Sequence, residues 1–135
     1  MAGFTNSYEN SVLDHSFGGV SFSPPTVWYI GLMVAAPTEL GGSVVEPAGN
    51  GYLRVGVANN VTQWPAAVSG AKQNANAIVF PTATGNGWGT VTHFGFFDAI
   101  SGGNLRAFAP LDTPRLVNAG DGFQFLAGDC KFTLD

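Results

Sequence analysis

Charge is what this chain has least of. Five basic and nine acidic residues among 135 leave a net charge of −4. The basic residues Arg54, Lys72, Arg106, Arg115 and Lys131 are scattered, so no basic groove can be drawn and a nucleic-acid partner is not expected. Cysteine is almost absent. Cys130 stands alone, which excludes an internal disulfide and any reliance on an oxidising compartment for folding. Long hydrophobic runs are missing as well. None spans a bilayer, and Met1 to Phe17 does not read as a basic, apolar secretory leader, so no membrane partner is expected.

What is present is apolar and aromatic. Hydrophobic residues make up 45% of the chain, with 11 phenylalanines, 3 tryptophans, 19 glycines and 8 prolines. Disordered chains are charged and poor in aromatics, so this one folds. Its length suits a single domain over residues 1–135. A monomer of 14.0 kDa exposes roughly 6,700 Å² by size scaling. So few charges cannot cover that surface, and much of it must be apolar. Such a surface suits a protein docked against copies of itself or a larger partner.

The chain opens as a helix over about 6–17. Asn6 is the expected N-cap, with Glu9 at capping-box spacing. Phe4, Tyr8, Val12 and Leu13 fall near one face, and Gly18-Gly19 supplies the stop. After Gly19 the pattern is strand and turn. Val27 to Val34 reads as a strand buried on both faces. "YLRVGVA" alternates, "NAIVFP" is a short strand, and "PRLVNAGDGFQFLAGDCKFTLD" holds two more. In "GNGWGTVTHFGFF", alternation puts Trp88, Thr90, Thr92, Phe94 and Phe96 on one face. Turn signals every 8–15 residues predict a mainly β fold, an antiparallel β-sandwich or jelly-roll-like barrel with one short N-terminal helix.

The residues that could carry chemistry do not form a constellation. On a strand, His93 has Val91 and Gly95 beside it, and a metal site needs several converging ligands. Asp98 in "DAISGG" is a lone carboxylate, too few for calcium, and reads as a turn residue bonding the backbone ahead of it. "GNGWG" lacks the lysine and helix of a phosphate loop. No catalytic residue, metal or cofactor is expected. Trp28, Trp64 and Trp88 read as packing, with Trp64, before Pro65, the one expected to be exposed. Phe4, Tyr8, Leu13 and Trp64 are the expected interface residues.

Several segments resemble a known family. "SYENSVLDHSFGG", "PPTVWYIGLMVAAPTELGG", "GYLRVGV", "WGTVTHFGFFDAISGGNL" and "VNAGDGFQFLAGDCKFTLD" are similar to small virion proteins of tailed bacteriophages, often labelled tail fibre proteins, some of them head decoration. The resemblance runs from Tyr8 to Asp135 and is weakest from Val61 to Asn76. It implies a non-enzymatic structural component of the virion, assembled in the host cytoplasm, and offers no catalytic residue. On this reading the expected role is a capsid decoration or cement protein bound to the major capsid protein or other virion proteins, as a homo-oligomer, trimer or dimer. The alternative is a tail fibre or tail-tip module binding a host surface glycan, through Trp64.

Overall fold

The computed structural model describes residues 3–134. In chain order the elements are β1 (Gly3–Phe4), α1 (Asn6–Gly18), β2 (Val27–Met33), β3 (Val55–Ala58), β4 (Ala71–Gln73), β5 (Ile78–Val79), β6 (Gly89–Phe97), β7 (Leu105–Val117), β8 (Gln124–Phe125) and β9 (Lys131–Thr133). Five strands form one sheet in the order β1-β7-β6-β2-β3, and β4-β9 and β5-β8 form two ribbons. Every one of these pairings is antiparallel.

The apolar run of β2 explains the centre of the sheet. Ile30 lies opposite Phe96 and Leu32 opposite Phe94, and all four are buried in the main core. The ribbons close over that face. The ring centroid of Phe125 is 5.0 Å from that of Phe94, and Phe132 is 4.8 Å from Phe96. The other face holds a smaller core of Met33, Phe97, Leu105 and Phe108, with Tyr29 and Val44 against it. Above it the Arg54 guanidinium lies 3.6 Å from the Phe97 ring centroid and forms a 2.7 Å ion pair with Glu46. Gly31 and Gly95 pair across β2 and β6. A Cβ on Gly31 would stand 2.7 Å from Phe97, so the missing side chain is what lets that ring lie down.

The fold is mainly β and antiparallel, as the turn spacing implies. The barrel form of that expectation is not what forms. The sheet ends at β1 and β3, which do not pair with each other among the described residues. Strands of two and four residues are too short to bring tilted edges together. The second layer is two ribbons, not another full sheet.

Strict alternation in β6 also fails. Val91 faces Arg115 but His93 faces Pro110, so Leu111 to Pro114 form an excursion of β7. The face switches at this irregularity. Val91, fully buried, joins Trp88, Phe94 and Phe96 in the core, while Thr90 is exposed. Pro110 and Pro114 have no N–H to give to a ladder, which fits a break here. Between Pro110 and Leu116, β7 is mostly exposed and pairs only with β6 among the described residues.

The accessible surface is 7341 Å², about a tenth above the compact-monomer value. Apolar side chains stand out on it: Phe17 is 88% exposed, Leu40 83% and Val61 80%. The surface has the apolar character its sparse charge implies.

Candidate interaction groove

The N-terminal segment is pinned to the sheet by Thr5. Its backbone N–H donates to the Arg106 carbonyl at 2.8 Å, and its buried hydroxyl donates to the Leu105 carbonyl at 3.2 Å. Thr5, rather than Asn6, is the N-cap, and its hydroxyl does not cap the helix because the sheet has taken it. Gly19 ends α1 in the left-handed conformation, φ 66°, as the double glycine implies.

So anchored, the first turns of α1 present Tyr8 to an aromatic cluster. Its ring centroid is 4.8 Å from Phe4, 5.4 Å from Phe22 and 5.8 Å from Trp28, all edge-on. Burial raises the Tyr8 hydroxyl pKa, with Arg106 opposing. Beside this cluster lies an apolar groove of about 300 Å³. Phe4 and Tyr8 from the N-terminal segment, Trp28, Phe96 and Ala107 from the sheet, and Trp64, Ala67, Lys72 and Phe132 line it.

Three of the four expected interface residues, Phe4, Tyr8 and Trp64, therefore line one groove. Leu13 does not; it is 53% exposed and lies further along α1. Trp64 departs from expectation. Only 6% of it is exposed, so it offers no open face for a sugar ring to stack on. It packs 5.5 Å from the Phe96 ring, beside the β4-β9 ribbon, and its Nε1–H has no hydrogen-bond partner among the described residues. The sequence hid this because Lys72 meets Phe132 only through long-range pairing.

The residues weighed for chemistry stay apart. The Nδ1 of His93 bonds the Thr92 hydroxyl at 2.8 Å, and desolvation lowers the His93 pKa. Asp98 does bond the backbone ahead of it: its Oδ1 accepts from the Asn104 N–H at 2.7 Å, and its Oδ2 pairs with Arg106 at 2.9 Å. Cys130 is fully buried, and burial pushes its thiol pKa far up. Trp88 gives its indole N–H to the Asn50 carbonyl at 2.9 Å. Among the described residues no three His, Cys, Asp or Glu side chains converge as for a metal ion.

A second groove, about 370 Å³, went unread in the sequence. It lies between the β7 excursion and the β8–β9 segment, with Asp112, Arg115, Gln124, Asp129 and Lys131 around Phe94, Phe123 and Phe125. No local pattern announces it, because β7 and β8–β9 meet only in the fold.

No helix among the described residues is long and apolar enough to cross a membrane. No curated protein matches the chain. Residues 3–133 do match a family model, Gp80, described as podophage GP4 fiber I protein gp80. The chain belongs to that family, and it is a structural protein of a bacteriophage.

Proposed function

We propose that the chain is a non-enzymatic subunit of a phage fibre, acting by docking against copies of itself and neighbouring virion proteins. The observation that carries this reading is the family match over residues 3–133, whose description is that of a fibre protein. The surface supports it, since exposed Phe17, Leu40 and Val61 are suited to burial in an assembly. The non-enzymatic part is supported by how the reactive groups are engaged. Asp98 is held by Arg106 and Asn104, His93 by Thr92, and Cys130 is sealed in the core.

A cement subunit on the capsid exterior, bound to the major capsid protein, is the second reading. The same sparsely charged surface favours it. Locating and counting the chain in an intact-particle map separates the two. A few to a few dozen copies on the tail is the fibre result; hundreds over the head is the cement result. Absence from purified particles overturns both.

A further inference from the structure

The far end of α1 carries an apolar knob. Leu13 and Phe17 are one helical turn apart, and Val20 follows the Gly19 cap. Their exposures are 53%, 88% and 55%. The groove at the start of the same helix is apolar, walled by aromatic rings, and at about 300 Å³ roomy enough for one aromatic side chain. A chain cannot fill its own hole. Tyr8 lines the groove, and Phe17, nine residues on, sits about 13 Å further along a rigid helix.

Charge matches shape. The helix bears Glu9 and Asp14 and no lysine or arginine. Asp14 is exposed and precedes Phe17 by three positions, on the same side. The one charged residue lining the groove is Lys72, exposed and in no ion pair among the described residues. An acidic knob thus meets a hole with a basic rim.

We propose that the α1 knob of one copy seats in the apolar groove of the next, a heterologous contact repeated head to tail. Such a contact makes rings or filaments according to the rotation between copies. One aromatic knob buries roughly 150–250 Å², well short of the ~1,600 Å² of a standard stable interface, so the contact is weak in solution and gains strength from repetition. The inference rests on the fibre reading for its setting. It is measured on the purified chain, so its failure leaves the location of the protein in the particle untouched.

Sedimentation of the purified protein from micromolar to millimolar concentration tests it. The wild type should grow in mass with concentration. Phe17→Ser should weaken self-association by about thirtyfold, and Ala67→Trp, which fills the groove, should do the same. Phe17 and Ala67 are both exposed, so both variants should keep the wild-type melting temperature. Mixed in equal amounts, the two variants retain one intact knob and one intact hole, and should form a heterodimer that goes no further. Asp14→Lys and Lys72→Glu should each weaken assembly and restore it when combined in one chain. A wild type that stays monomeric throughout, a Phe17→Ser chain that assembles like wild type, or variants that fail to pair when mixed would each overturn the proposal.

Discussion

Asp98 holds its turn through both carboxylate oxygens, Oδ1 accepting from the Asn104 backbone and Oδ2 from the Asn104 and Arg106 side chains. Burial alone would raise its pKa, but the Asn104 backbone and side chain and the Arg106 guanidinium outweigh this and hold it below its ordinary value. A depressed folded-state pKa gives stability that is present above about pH 4 and lost as pH falls through the lower folded value. Asp98→Asn should therefore flatten the acid limb of the stability curve and cost about 1–2 kcal/mol at neutral pH in urea unfolding. Gly103 belongs to the same turn. It adopts φ 66°, and a Cβ there would lie 2.5 Å from the Asp98 carboxylate, so Gly103→Ala should also destabilise. Phe94 and Phe96, 3% and 7% exposed, should each cost about 3–5 kcal/mol on truncation to alanine, whereas His93→Ala should cost no more than ~1 kcal/mol. Cys130 should stay unreactive to a thiol reagent in the native protein and react in step with global unfolding.

Among the elements, α1 divides into two halves with different work. Tyr8 is buried in the core and Leu13 is not. Tyr8→Ala should lower stability by about 3 kcal/mol, while Leu13→Ala should change it by less than ~0.5 kcal/mol in the same denaturant titration. The helix and its glycine stop were legible because they depend on neighbours in sequence. So was β2, whose run of apolar residues admits burial on both faces. What was not legible depends on distant partners. The face switch at Val91 is set by where Pro110 and Arg115 meet β6, and no alternation rule within β6 encodes it. Trp64 looked exposed because polar residues and Pro65 surround it; the β4-β9 ribbon, joining Ala71 to Thr133, decides otherwise. The groove is half legible: Phe4, Tyr8 and Trp64 each stand out in the sequence, but their convergence belongs to the fold.

At the scale of the molecule, a surface with little charge must be selective about what touches it. The outer stretch of β7 is the place where selectivity matters most, since a strand edge offers unpaired N–H and C=O groups to any chain that arrives. Here Pro110 and Pro114 each remove a donor, and Asp112 and Arg115 add charge between and beside them. Replacing both prolines with threonine should leave the fold intact, because the stretch is exposed, but raise thioflavin-positive aggregation on gentle heating. Identical chains crowd together wherever a fibre or a shell is built, and crowding rewards any contact that repeats. A barren edge lets such a chain reach high local concentration without zipping sideways into sheets that no particle could use. In the proposed assembly, the two prolines that interrupt β7 would leave side chains, rather than backbone, to decide which copies join and in what order.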